Sequence, residues 1–171
     1  MSVEKASYQV LIQEGNFELR QYEPMILVTS QESDLSGGNG FDRLFNYING
    51  NNQQSKKIAM TAPVIDTLEG QQSTTSFVMP RQMSMADLPK PNDSRLSPRE
   101  INGRQVASIR FSGTINTREL ENKWVELQEW LKLKGLHHLG PVELARYNAP
   151  YVPLFARRNE LLVEVEPTSN L

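Results

Sequence analysis

Two amphipathic helices, each framed by β-type runs, restrict the fold of this chain most. The stronger helix pattern covers residues 116–134, where Asn116 can cap the first turn and Glu119 follows three residues later. Lys132, Lys134 and Gly135 suit the end of this helix, because cations and an αL glycine both stabilise a helix C-terminus. Its apolar stripe consists of Leu120, Trp124, Leu127 and Leu131.

A shorter helix pattern begins at residue 41, after the glycine-rich stretch 36–40, which we interpret as a flexible loop. Gly50 is placed to end this helix. Its apolar residues recur at i, i+3, i+4 and i+7, which is typical of one helical face. They are Phe41, Leu44, Phe45 and Ile48.

The remaining periodic segments favour strands, and their order repeats. Strand, helix, strand, strand is predicted from residue 25 to 79 and again from 106 to 165, and residues 8–13 and 17–22 suit a hairpin. The proline-containing stretch 80–98 between the repeats is interpreted as a long connection. This order predicts an α+β fold, either a distorted β-barrel or paired antiparallel sheets, flanked by two helices. A pseudo-twofold β-α-β-β duplication of this kind has an internal cleft where the repeats meet.

Length and charge limit the classes of function. The 171 residues predict one domain, over residues 8–166, and the formal charge of −2 without a basic stripe argues against nucleic acid as a partner. The chain has no cysteine, so thiolate chemistry is excluded. No run reaches the roughly 18 apolar residues of a membrane span, and we expect a cytoplasmic protein.

Three segments resemble the SOUL haem-binding protein family. They are residues 17–22 (Phe-Glu-Leu-Arg-Gln-Tyr), residues 57–64 (Lys-Ile-Ala-Met-Thr-Ala-Pro-Val), and residues 147–150 together with 157–160 (Tyr-Asn-Ala-Pro and Arg-Arg-Asn-Glu). The resemblance extends over roughly residues 8–165. It implies a fold similar to that of the gyrase-inhibitor-like domains, and non-covalent binding of haem or a related tetrapyrrole by a carrier or buffer.

The resemblance also implies where such a ligand lies. The family's haem surface corresponds to Phe41, Leu44, Phe45 and Ile48, although such a stripe more often packs against a sheet. Two further candidates come from the residues themselves. Met60 offers a thioether, and Tyr151 can line a cleft, although both residue types also serve as ordinary core or core-edge packing.

Several positions depart from the family pattern. Gln21 occupies the position at which a histidine ligand has been proposed in one branch, and Asn46 replaces a lysine. Four basic residues are alternative partners for the haem propionates: Lys56, Lys57, Arg157 and Arg158. For the tetrad 157–160 we favour a structural role, in which an arginine binds a carboxylate and holds the loop. The histidines, His137 and His138, are interpreted as loop residues.

Two other functions stay open. One is a binding module for another flat apolar effector, which the missing basic and histidine positions favour. The other is a small-molecule hydrolase, for which Glu143 and Tyr147 are the pair to examine, although they lie about 13 Å apart along a strand. No nucleophile elbow, phosphate-binding loop or metal-ligand cluster can be assembled from the sequence, so we make no firm assignment of catalysis.

Overall fold

The computed structural model describes residues 3–33, 38–69 and 72–168. The chain divides into two compact units, the first formed by Met1–Ala6 and Pro24–Asn102 and the second by Ser7–Glu23 and Gly103–Leu171. Each unit contains one helix and one antiparallel sheet. The prediction of a single domain over residues 8–166 stays a prediction.

The first unit places helix α1 (Gly38–Ile48) on a sheet of order β6-β7-β4-β8. The helix contacts β4 and β7, and a two-residue parallel pair, β1 with β5, lies in the same unit. The strands are β1 (Glu4–Lys5), β4 (Met25–Ser33), β5 (Thr61–Ala62), β6 (Val64–Glu69), β7 (Gln72–Val78) and β8 (Leu96–Ile101).

The second unit places helix α2 (Thr117–Lys134) on a sheet of order β2-β3-β9-β11-β10. The Asn116 side chain accepts a hydrogen bond from the Glu119 N–H at 2.9 Å, and Gly135 ends the helix in the αL conformation, as predicted. The strands are β2 (Tyr8–Glu14), β3 (Phe17–Tyr22), β9 (Arg104–Phe111), β10 (His138–Arg146) and β11 (Asn159–Val165).

The predicted α+β fold class, with two α-helices and antiparallel strands, is confirmed, whereas its barrel alternative is not. Both units follow the order strand, helix, strand, strand, as β4-α1-β6-β7 and β9-α2-β10-β11, with the short β5 inserted in the first. The sheets are open and do not close into a barrel. The β-α-β-β duplication inferred from element order therefore describes the secondary structure of each unit.

Two boundaries differ from the sequence prediction. Helix α1 begins at Gly38, so residues 38–40 are helical rather than part of a loop, while the loop predicted at residues 36 and 37 lies outside the described residues. The long connection predicted for residues 80–98 is wrong at its end, because β8 begins at Leu96. Pro98 is compatible with this strand, because β8 lies at the edge of the described sheet, beside β4, and proline, which has no N–H to donate, is tolerated on edge strands.

A buried ion pair joins strands β3 and β11 in the second unit. Phe17 of β3 stacks on Trp130 of α2, so Arg20, three residues on, points to the opposite face of the sheet. There its guanidinium donates two hydrogen bonds to the Glu160 carboxylate, at 2.8 and 2.6 Å. Arg158 donates a third to the same carboxylate at 3.1 Å. This agrees with a structural role for the tetrad 157–160.

The charge of Glu160 is maintained by its arginine partners. Burial alone would raise the pKa of this carboxyl, but the hydrogen bonds and charges of Arg20 and Arg158 hold the pKa below its usual range. Arg20 and Glu160 are both fully buried, so neither charge has water as an alternative partner. The pair is therefore costly to break from one side only.

We expect Glu160→Gln to lower the free energy of unfolding by about 3 kcal/mol, the lower end for breaking a buried pair, because the change removes the bidentate counter-ion of Arg20 but leaves Glu18 as its remaining carboxylate partner, at 2.6 Å. Urea denaturation at neutral pH measures this loss. The matched control is Asp93→Asn, which removes a surface ion pair to Arg95 at 2.9 Å and should cost less than about 1 kcal/mol. Equal losses in the two variants would contradict the structure of this pair.

The pH dependence of stability follows from the lowered pKa of Glu160. The carboxylate contributes its full stabilisation above the unfolded-state pKa of about 4.3 and loses it as the pH falls through the lower folded-state pKa. The difference in unfolding free energy between wild type and Glu160→Gln should therefore be constant from neutral pH to about 5 and should shrink below about 4. Urea denaturation across this range checks it, and a difference that grows in acid would contradict it.

Candidate binding surface

An exposed aromatic pair lies on helix α1. The Phe41 and Phe45 rings stack with centroids 5.9 Å apart and planes 13° from parallel, because residues four apart lie one above the other on a helix. Phe45 is 46% exposed, whereas Phe41 is half-buried. The edge-to-face contact between Phe41 and Phe77 of β7, at 5.2 Å, fixes the inner ring against the sheet. The helix therefore presents a supported aromatic face to solvent.

The other two residues of the predicted stripe lie underneath the helix. Leu44 is 0% exposed and Ile48 is also buried, and both belong to the core between α1 and the sheet of the first unit. A bound molecule at the surface would touch Phe45 and the edge of Phe41 before it reached either of them. Leu44 and Ile48 position the aromatic pair, because they hold the helix on the sheet.

The segment 57–64 runs along the C-terminal end of α1. Asn49 and Lys57 form an isolated antiparallel bridge, and the Ile58 N–H donates to the Ile48 carbonyl at 2.8 Å. Met60 follows, half-buried, and packs against the same core as Phe41. Phe41 and Met60 thus border the same core, and we name Phe41, Phe45 and Met60 the α1 surface.

Lys57 is a basic residue whose backbone lies at the C-terminal end of helix α1. Its side chain is exposed, and its backbone lies beside Asn49, whose amide donates to the Phe45 carbonyl at 2.9 Å. Lys56 is directed elsewhere, with Nζ 3.5 Å from the Asp87 carbonyl oxygen. Asn46 is exposed on the helix, where it carries no charge. Lys57 is therefore the predicted propionate partner whose backbone pairs with the end of helix α1.

Arg157 and Arg158, the other predicted propionate partners, hold the loop between β10 and β11. Arg157 donates to the carbonyl oxygens of Val152 and Pro150 at 2.8 and 2.7 Å. Arg158 binds Glu160 and the Tyr8 hydroxyl, and its guanidinium lies 3.8 Å from the centre of the Tyr147 ring. Both side chains are therefore used in internal contacts of the second unit.

Tyr151 belongs to the second unit, whereas the other five predicted ligand-contact residues belong to the first. It lies in the loop between β10 and β11 and is 88% exposed. Its predicted place in a ligand cleft stays a prediction. Gln21 and the histidines also lie in the second unit, where His138 makes an edge-to-face contact with Trp124 at 5.3 Å.

The geometry of Glu143 and Tyr147 does not favour hydrolysis. Glu143 is buried and paired with Arg104, at 3.0 and 2.9 Å. The Tyr147 hydroxyl is buried and has no hydrogen-bond partner among the described residues, and burial raises the pKa of this phenol well above its usual value. A carboxylate held by arginine and a phenol that stays protonated lack the poised base that such a reaction requires.

Phe77 supports the α1 surface from below, and sequence reasoning did not single it out. It is buried in the core of the first unit and supports Phe41. The strand predicted over residues 75–79 contained it, and alternation along that strand would indicate an inward direction. The sequence offers no signal that this ring meets helix α1 rather than another element.

The two units and the aromatic surface define a class of α+β proteins with two helix-on-sheet repeats and an apolar helix face open to solvent. A family model described as "SOUL heme-binding protein" matches residues 3–164. The chain belongs to the SOUL heme-binding protein family, as its motifs predicted. Heme-binding protein 2 of Homo sapiens is 32% identical over 170 residues, covering 91% of this chain and 82% of that protein.

Solved structures share the fold at low identity. A hydrolase from Listeria innocua superposes with a TM-score of 0.65 at 10% identity, covering 91% of this chain and 94% of its own. The EcmrR C-terminal domain does so with a TM-score of 0.64 at 13% identity, covering 94% and 99%. Within the described ranges, no helix has the length and apolarity needed to cross a membrane.

The difference in burial between Leu44 and Phe45 predicts a large and a small loss of stability in two neighbouring variants. Leu44→Ala should lower the free energy of unfolding by about 2 to 5 kcal/mol, because it leaves a cavity under the helix. Phe45→Ala, one residue further on, should change it by less than about 1 kcal/mol, because much of its ring already contacts water. Urea denaturation of both variants measures this, and a larger loss in Phe45→Ala would contradict the exposed position of the ring.

Proposed function

We propose that this protein binds haem or a related flat tetrapyrrole, non-covalently, at the α1 surface and acts as its carrier or buffer. The observation that carries the proposal is the stacked pair Phe41 and Phe45, supported from below by Phe77. A rigid aromatic face exposed to solvent matches the flat apolar face of a porphyrin. The name of the human relative, Heme-binding protein 2, supports the same ligand class.

Different residues would contact the two parts of the ligand, the apolar macrocycle and the acidic propionates. Phe45 and Met60 would contact the macrocycle, and Lys57 would pair with a propionate through a charge-assisted hydrogen bond. The thioether of Met60 is the soft donor of this surface. Bound haem would supply an iron centre, but the proposed binding depends mainly on apolar contact between Phe45 and the macrocycle.

A second candidate is binding of another flat apolar effector at the same surface. The α1 surface contains no histidine, since His137 and His138 belong to the second unit, and one lysine serves its acidic edge. A surface of this kind recognises flatness and apolarity more than it recognises iron. The cytoplasmic location expected from the sequence stays a prediction, as does the absence of a nucleic-acid partner.

Haemin titration tests the proposal. The wild-type protein should shift the Soret band and quench the fluorescence of Trp124 and Trp130 saturably at micromolar haemin. Phe45→Ala should weaken binding by about tenfold, because loss of ring contact worth about 1.4 kcal/mol changes affinity by that factor. The matched control is Leu133→Ala, which removes an exposed apolar side chain from α2 and should leave the affinity unchanged.

The results also separate the two candidates. Absence of any Soret change or saturable quenching at micromolar haemin would overturn haem binding. A neutral or cationic flat aromatic ligand that raises the melting temperature of wild type more than haemin does, and of Phe45→Ala less, would favour the other effector. Lys57→Glu should weaken haemin binding but not binding of the neutral ligand, because only haemin has propionates to pair.

A further inference from the structure

The loop between β10 and β11 exposes large apolar side chains in the second unit. We name residues 147–158 the aromatic loop. Tyr151 is 88% and Phe155 is 83% exposed, and Leu154 between them is also exposed. Apolar side chains of this size are rarely exposed together within so few residues, and an exposed apolar cluster indicates an interaction surface.

The aromatic loop is held in one shape by its own hydrogen bonds. The Arg157 guanidinium donates to the carbonyl oxygens of Pro150 and Val152, and the backbone N–H of Arg157 donates to the Leu154 carbonyl at 3.2 Å. The N–H groups of Val152 and Ala156 donate within the loop, at 3.1 and 2.9 Å. The exposed rings are thus carried by a preorganised turn, which reduces the entropy lost on binding.

These bonds also reduce the number of polar backbone groups that the loop leaves open. Pro150 and Pro153 have no N–H, and the polar groups named above are satisfied inside the loop. Each backbone group that is already paired enters the edge of a bilayer at a lower cost than an unsatisfied one.

The charge around the aromatic loop is positive. The neighbouring segment 112–118 is tied to it, since the Gly113 N–H donates to the Leu154 carbonyl at 2.9 Å. The two segments together contain Arg118, Arg157 and Arg158 and no acidic residue, and of these arginines Arg158 is paired with Glu160. The hydrogen bonds that Arg157 makes go to neutral carbonyl oxygens, so its charge is not cancelled there. This charge complements an anionic surface.

We propose that the aromatic loop docks this protein on an anionic lipid bilayer, with Tyr151 and Phe155 inserted among the headgroups and the positive charge of Arg118 and Arg157 near the lipid phosphates. Aromatic rings favour the membrane interface, and basic residues beside it add attraction to anionic lipids. A second copy of the chain fits less well, because a twofold contact through this loop would set arginines against the same arginines.

Vesicle co-sedimentation of the ligand-free protein tests the proposal. We expect binding to phosphatidylcholine vesicles containing about 30 mol% phosphatidylserine, weaker binding to pure phosphatidylcholine, and weakening by salt. The double variant Tyr151→Ser, Phe155→Ser should lose at least about tenfold in partitioning, because it removes the inserted apolar area. Leu133→Ser is the matched control, since Leu133 is 83% exposed on α2, and it should bind like wild type.

A site-specific probe shows which part of the chain enters the lipid. The chain has no cysteine, so Phe155→Cys and Leu133→Cys each provide a single thiol for an environment-sensitive dye. Anionic vesicles should shift the emission of the dye at position 155 to the blue and leave the dye at position 133 unchanged. Circular dichroism confirms that the exposed substitutions keep the fold.

Three results would overturn the proposal. The first is absence of binding to anionic vesicles, and the second is binding that survives in the double variant or shifts both dyes equally. The third is a lipid-free dimer, seen by analytical ultracentrifugation, that disappears in the double variant, because the loop would then serve self-association. None of these outcomes depends on haem, so failure of the membrane proposal and failure of the haem proposal can be told apart.

Discussion

The packing of helix α1 on its sheet is the constraint on which the candidate surface depends. Leu44, Tyr47 and Ile48 are fully or almost fully buried between the helix and the strands of the first unit. Burying side chains of this size stabilises the unit by about 1.5 to 3 kcal/mol each, so the helix cannot rotate to hide its remaining apolar residues. Phe45 stays exposed because the centre of the buried arc lies on the other side of Leu44. The aromatic pair is therefore a consequence of which face the sheet selects.

Most of the fold could be predicted from periodicity, but the buried arc of α1 could not. The spacing of Phe41, Leu44, Phe45 and Ile48 predicts the helix correctly, but it does not distinguish the buried residues from the exposed one. Tyr47 lies outside the stripe and is fully buried, with its hydroxyl donating to the Pro89 carbonyl at 2.8 Å. Its acceptor comes from a loop 42 residues away, so no local pattern could separate the inner face from the outer one. The same long-range dependence hid the contact between Phe41 and Phe77.

The tetrad 157–160 shows the opposite case, in which residue chemistry predicted the role but not the partner. Adjacent arginines near a glutamate suggest a local fork, and Arg158 does bind Glu160. The stronger, bidentate contact to Glu160 comes from Arg20, which is 140 residues away in sequence. Arg157 instead closes the loop onto its own carbonyl groups. The motifs at residues 17–22 and 157–160 are thus two halves of one internal network of the second unit.

The two exposed aromatic sites differ in what supports them, and this difference separates the functions proposed for them. Phe45 rests through Phe41 on a packed core, which suits a flat rigid ligand that needs a firm, shape-matched face. Tyr151 and Phe155 are carried by a turn that its own hydrogen bonds hold in shape, which suits partial entry into a membrane interface. Phe45 and Phe155 are thus proposed to have different roles because one is supported by a packed helix and the other by a turn. A tetrapyrrole partitions readily into lipid, so a carrier that docks on a bilayer would meet its ligand where the ligand accumulates.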